Sequence, residues 1–201
     1  MTRLALHRAD DILDATRGLV LERGVRSATV DAIAQRSGAP VGSLYHRFGS
    51  RDRLMAEMWI RAVRRSQAAF VAAAQHRDAE QGAVDAALSI YHFVQHHRDD
   101  ARLLVSFRRE DLIRTARSPR LLRELSELNQ PLEAALTGLA RRLFGKANAH
   151  AVEQTVFALI DIPMGAIRRH LIAGGELPRA LPGLLEVAVR AVLRADRVGA
   201  L

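Results

Sequence analysis

The chain has 201 residues, 49% hydrophobic and 26% charged, and carries a formal net charge of +8; a chain of this length can bury a sizeable core without staples. It contains no cysteine, which excludes disulfides, thiolate nucleophiles and cysteine-ligated zinc or iron–sulfur sites and suits a reducing compartment. The N-terminal stretch is too charged for a secretory signal and no apolar run approaches the ~20 residues of a membrane span, so a soluble, cytoplasmic protein is expected.

The positive charge is unevenly spread. Residues 1–65 hold twelve arginines against seven acidic residues. A basic excess concentrated in one third of a chain is the electrostatic footprint of a phosphate-binding module, although a solvated basic face produces the same statistic. Strand signals are nearly absent, and apolar residues recur at intervals of three and four, so the fold class expected is all-α.

The first helix is predicted over Arg8 to Arg23, with Ile12, Ala15 and Leu19 on one face and Gly24 beyond its end. A short helix begins at Thr29, a good N-cap, buries Val30, Ile33 and Ala34, and stops at Ser37-Gly38. Pro40 suits the start of the next helix, which runs from Val41 to Phe48 with Leu44 and Phe48 toward the core. Gly49-Ser50 ends it, and Ser50 caps a long helix from Arg51 to about Gln75 that contains no Pro or Gly. Two short helices joined by a glycine-bearing turn form a helix-turn-helix. Further helices are predicted at about Gln81–His97, Asp99–Thr115, Pro119–Phe144, Ala147–Ala173 and Leu181–Arg197, with Pro163 kinking the fourth of these.

In such a motif the second helix enters the major groove with its early residues facing base edges. Those residues are Val41, Gly42 and Ser43: an apolar contact for a thymine methyl, a bare backbone that allows close approach, and a permissive hydroxyl. Tyr45, His46 and Arg47 follow, with Tyr45 and Arg47 suited to phosphate oxygens. Thr29 and Arg51, at two helix N-termini, are further phosphate candidates. Tyr45 reads equally well as a partly buried aromatic, and Arg51 as an ordinary helix-surface charge.

Ile12-Leu13-Asp14-Ala15, Glu22-Arg23-Gly24, Ala28-Thr29-Val30, Ile33-Ala34, Gly38, Gly42-Ser43-Leu44-Tyr45-His46-Arg47-Phe48 and Ser50-Arg51 together resemble the DNA-binding region of the TetR family of bacterial repressors. The resemblance spans Ile12 to Leu54. It implies a nine-helix homodimer: an N-terminal helix-turn-helix domain (1–50) continuous with a helical ligand-binding and dimerisation bundle (51–201), acting as a repressor that a small apolar or amphipathic ligand releases from a palindromic operator. It also implies phosphate contacts from Thr29, Tyr45 and Arg51, with Val41, Ser43 and His46 or Arg47 near the bases. Pro40, Val41 and Val20 depart from the family's usual residues: the first removes a side-chain phosphate contact, the second weakens base reading, and the third alters the small domain's core.

The remainder shows no phosphate loop, nucleophile elbow or carboxylate pair, so no enzyme activity, cofactor or metal is expected. His92 and His96, one turn apart with His97 adjacent, are the nearest approach to a metal-dependent enzyme, the minor alternative beside a ligand-independent DNA-binding protein. Met55, Trp59, Phe93, Phe107, Phe157 and Met164 are the candidate ligand-lining residues. The apolar stripes Val152, Val156, Leu159, Ile160 and Ile167, and Leu181, Leu184, Leu185, Ala188 and Val192, serve either the monomer core or, by the resemblance, a four-helix dimer interface.

Overall fold

The computed structural model describes residues 9–116 and 118–195. The regular structure of the described residues is all helical, without strands. In chain order they form α1 (Ala9–Arg23), a 3-10 turn (Val25–Ser27), α2 (Val30–Ser37), α3 (Val41–Phe48), α4 (Arg51–Ala73), α5 (Ala79–His96), α6 (Arg98–Ser106), α7 (Arg109–Thr115), α8 (Pro119–Glu127), α9 (Gln130–Phe144), α10 (Ala149–Val156), a π-helical segment (Phe157–Asp161), α11 (Ile162–Ala173) and α12 (Leu181–Ala195). The expected outer ends of the first and last helices, Arg8 and Arg197, lie outside the described residues.

The early elements follow the local signals. The Thr29 hydroxyl accepts the Ala32 N–H at 3.2 Å and starts α2, and Ser50 accepts the Arg53 N–H at 3.1 Å at the start of α4. Gly38 (φ 71°) and Gly49 (φ 75°) end α2 and α3 in backbone that side-chain-bearing residues rarely adopt.

Two predicted helices are each broken in the structure. The stretch 99–115 divides at Phe107-Arg108, where the Arg108 N–H donates to the Asp111 carboxylate and a new first turn begins. The stretch 119–144 divides at Leu128-Asn129, and Pro131 stands in the first turn of the new helix, where its missing N–H leaves nothing unsatisfied. At Pro163 the helix widens. The proline cannot donate to the Leu159 carbonyl, and the ladder shifts so that the Ile162 N–H donates to Phe157 O, five residues back.

The chain divides into two compact units. One comprises the residues up to Val63 together with Arg102–Glu127; the other comprises Arg64–Ala101 with the chain from Leu128 onward. Helix α4 runs through the division without a break. In the first unit α1 packs on the 3-10 turn and α2, and α2 on α3, around Ile12, Leu19, Ile33, Ala39, Leu44 and Leu54, each at most 3% exposed. The Arg36 guanidinium crosses α1 directly over Gly18, where a Cβ would stand 2.7 Å from it, and grips Glu22 with two 2.6 Å bonds. In the second unit α5, α9, the π segment and α12 enclose Phe70, Val84, Leu139, Leu159, Val189 and Leu193. Arg142 closes the end of α4 there by donating to the Ala74 carbonyl at 2.8 Å and to Arg77 O at 3.0 Å.

Candidate nucleic-acid interface

Helix α3 is anchored on one side only. Leu44 is 1% exposed and Phe48 is half-buried, whereas Val41, Gly42, Ser43, Tyr45, His46 and Arg47 are all exposed. An eight-residue helix cannot hold itself in water by its own ladder; here Leu44 fixes it to the first unit and leaves the rest of its surface uncovered. Tyr45, read two ways from spacing, is 51% exposed.

The first turn of α3 is also open. Pro40 supplies no side-chain cap, and its carbonyl accepts the N–H groups of Ser43 (2.9 Å) and Leu44 (3.3 Å). The N–H groups of Val41 and Gly42 are therefore left over at the helix N-terminus. No heavy atom lies within 4 Å of a Cβ built on Gly42, so the fold does not require glycine there.

Ion pairing sorts the basic residues of the first unit. Arg36 is held by Glu22, Arg61 by Asp10 (2.7 Å) and Asp14 (2.5 Å), Arg17 by Asp14 (3.2 Å), and Arg53 by Glu57 and by Glu124 (2.8 Å). The charge-assisted bond from Arg36, offset by partial desolvation, holds the Glu22 carboxyl below the usual glutamate value. Arg23 lies in the field of the same carboxylate. Arg47 on α3 and Arg26 in the 3-10 turn are exposed and make no side-chain bond among the described residues. These two guanidinium groups are available to an outside anion. The sequence does not single out Arg26; its position three residues before the α2 N-cap is visible there, but its freedom from an acidic partner is a tertiary property.

Arg51, a phosphate candidate on sequence grounds, bonds within its own unit. Its Nε donates to Ala28 O at 2.7 Å and its Nη2 to Val25 O at 2.5 Å, and Nη1 lies 3.8 Å from Asp52. Its planar fork is spent on carbonyls inside the unit. Thr29 is exposed and keeps its hydroxyl proton while its oxygen caps α2.

The expected ligand-lining residues are shared between the two units. Met55, Trp59 and Phe107 lie in the first unit at 2%, 7% and 8% exposure, and the Trp59 indole N–H donates to Phe107 O at 3.0 Å. In the second unit Phe93 is buried with its ring tilted against His97, Met164 is half-buried, and Phe157 is 49% exposed.

The stripes assigned to dimerisation also divide. Leu159, Ile167, Leu181 and Leu185 are core residues of the single chain, at most 5% exposed, and a side chain so covered has no area left for a partner. Val152, Val156, Ile160, Ala188 and Val192 are half-buried, with Val156, Ile160 and Val192 packed on the second unit's core. Leu184 is exposed. Val187, Ile172 and Phe157, outside the interface read from sequence, join it at the surface.

The His96 Nδ1 lies 2.8 Å from the His92 carbonyl, and among the described residues no group of three or more His, Cys, Asp or Glu side chains is arranged to hold a metal ion. No described helix is long and apolar enough to cross a membrane.

A short helix seated mainly by one leucine, with its polar groups and N-terminal N–H groups unspent, gives the first unit the form of a helix-turn-helix. Residues 12–58 match the family described as bacterial regulatory proteins, tetR family. The fold of the chain as a whole is that of the family's transcriptional regulators. It is similar to the TetR-family regulator PfmR of Thermus thermophilus (18% identity, TM-score 0.69, covering 91% of this chain and 97% of that one). It is similar also to the fatty acid degradation regulator FadR of Bacillus halodurans (14%, 0.69, 92% and 98%). A third likeness is to FadR of Bacillus subtilis in complex with stearoyl-CoA (12%, 0.62, 94% and 97%). No curated protein matches.

Proposed function

We propose that the chain is a cytoplasmic transcriptional repressor that binds a palindromic operator as a homodimer and leaves it when a small apolar or amphipathic effector binds. The observation that carries the DNA-binding part is the one-sided anchoring of α3: Leu44 is buried while Val41, Gly42, Ser43, Tyr45, His46 and Arg47 are exposed. Val41 and Ser43, with His46, meet base edges, and Gly42 lets the backbone approach. Tyr45, Arg47, Thr29 and the newly placed Arg26 contact phosphates. With an apolar and a permissive side chain leading the helix, selectivity owes much to groove shape and to half-site spacing.

Dimerisation follows from contact area, because one short helix buries too little surface for tight specific binding and two across a palindrome double it. The exposed apolar residues of the second unit support where the partner sits. Leu184 and Val187, one turn apart on α12, are 64% and 69% exposed, and Ile172 on α11 is 67% exposed. Exposed apolar side chains grouped on neighbouring helices mark an interaction surface. The interface we propose is therefore Leu184, Val187, Ile172 and Phe157 with the half-buried Val152 and Ala188 at its margin.

The experiment is selection of binding sites from random duplexes with the full chain. Enrichment of inverted half-sites with centres one helical turn or a multiple apart supports the reading; a pool that stays random after repeated rounds overturns it. For the effector, the stearoyl-CoA complex of the B. subtilis regulator makes a long-chain acyl-CoA the first probe. Binding raises the melting temperature by mass action and lowers operator affinity. Failure of a panel of acyl-CoA thioesters and other apolar compounds to do either leaves a ligand-independent DNA-binding protein.

A further inference from the structure

We propose that Arg51 is a positioning residue for sequence-selective DNA binding: it locks the 3-10 turn and the α2 N-terminus to the α3–α4 junction and makes no direct bond to the phosphate backbone. The inference rests on the DNA-binding reading above and changes which residues carry it. Position and charge at the start of α4, beside Gly49-Ser50, favour a phosphate ligand on sequence grounds. The geometry assigns the side chain elsewhere.

The guanidinium reaches back 23 and 26 residues to two carbonyl groups, Ala28 at 2.7 Å and Val25 at 2.5 Å. Both lie in the segment that joins α1 to α2. Val25 O also accepts the Ala28 N–H at 3.3 Å, so the 3-10 turn and the arginine share one acceptor. Ala28 is fully buried, and the donor supplied to its carbonyl is Arg51; a buried carbonyl stripped of its donor costs more than the bond was worth. The remaining nitrogen, Nη1, lies 3.8 Å from Asp52, whose charge lowers the local potential available to a phosphate.

This one clamp joins the two ends of the reading head. Ala28 immediately precedes Thr29, whose hydroxyl starts α2, and Arg51 follows α3 by three residues, across the positive-φ Gly49. Gly49 and Ser50 alone set a loose joint. A planar fork bonded to two carbonyls sets both distance and direction, which a single ammonium does not. Arg51 thereby fixes how far Thr29 lies from the residues α3 presents, and a displacement of that spacing moves base contacts and phosphate contacts out of register together.

The test uses the full chain with two variants, Arg51→Lys and Arg51→Gln, each measured on the selected duplex and on an unrelated duplex over a range of salt. The expected result is a loss of about tenfold or more on the selected duplex in both variants, the scale of one lost base-pair contact. Affinity for the unrelated duplex and the slope of log K against log salt stay as in the unsubstituted protein. A phosphate ligand gives the opposite pattern: Arg51→Lys near normal, and Arg51→Gln losing affinity on both duplexes with the slope reduced by about 0.9. That pattern overturns the proposal. So does a lowered melting temperature with discrimination unchanged in the Lys variant, which would make the clamp purely a matter of stability. If the unsubstituted chain selects no duplex at all, the DNA-binding reading fails and this proposal with it, whereas a failure confined to the variants leaves that reading standing.

Discussion

Gly42→Ala separates what the fold needs from what DNA binding needs. Gly42 is the second residue of α3 and lies outside the positive-φ glycines. A Cβ there meets nothing within 4 Å. Replacing glycine by alanine in ordinary helical backbone therefore stabilises, by ~0.5–1 kcal/mol, which for a chain of this size raises the melting temperature by ~1–4 °C. If the α3 backbone approaches the duplex at Gly42, the same methyl group stands in the interface and costs about tenfold to a hundredfold in operator affinity, the range of one mismatched base pair. The assays are calorimetric melting of the free protein and fluorescence anisotropy with labelled operator at fixed salt, since affinities at different salt are not comparable. A variant that melts higher and binds the operator unchanged would refute the close approach. One that melts lower would refute the open surroundings of the glycine.

Gly82 presents the converse case in the second unit. A Cβ on it would stand 2.9 Å from the Ala73 carbonyl oxygen and 3.0 Å from the His76 Cβ, and Gly82→Ala should destabilise by ~1–3 kcal/mol through overpacking, seen as an earlier melting transition. The Glu80 carboxyl, bonded by Arg194 at 2.9 Å and by Arg190 at 3.1 Å against some desolvation, is held below the ordinary glutamate value. A carboxyl whose folded-state pKa is depressed contributes stability above the unfolded value and loses it as pH falls through the folded one. Chemical denaturation of the unsubstituted chain and of Glu80→Gln should therefore differ most above about pH 4.5 and converge in more acidic solution; a constant difference would remove Glu80 from the acid response. Leu184→Glu combined with Val187→Glu, both at exposed positions of α12, should yield a folded monomer in sedimentation with unchanged helical circular dichroism, and a persistent dimer would move the interface elsewhere.

Local chemistry in this chain is read from neighbours a few residues apart, and those features were legible from the residues alone. Thr29 and Ser50 start helices because their hydroxyls reach N–H groups three residues on. Gly38 and Gly49 end helices because they tolerate left-handed backbone, and Leu44 anchors α3 because the helical repeat places it on the buried side. Pro131 carried a legible signal for the break before α9 that the apolar periodicity of 119–144 masked. Three things required the tertiary structure. Arg51 meets carbonyls 23 and 26 residues away, so its type and position predict a cation at a helix start without revealing that its donors are engaged inside the unit. Arg26 and Arg47 stay available while Arg36, Arg53 and Arg61 are paired, because each pairing depends on which helix brings a carboxylate alongside. On α12, Leu185 goes to the core and Leu184 to the surface. Adjacent leucines differ by about 100° around a helix, and only packing against the other helices of the unit decides which of the two is covered. Sequence thus determined the helices and the reading head, whose signals are local; the tertiary structure decided which charges and which apolar side chains remain for DNA and for a partner, because those are what packing leaves over.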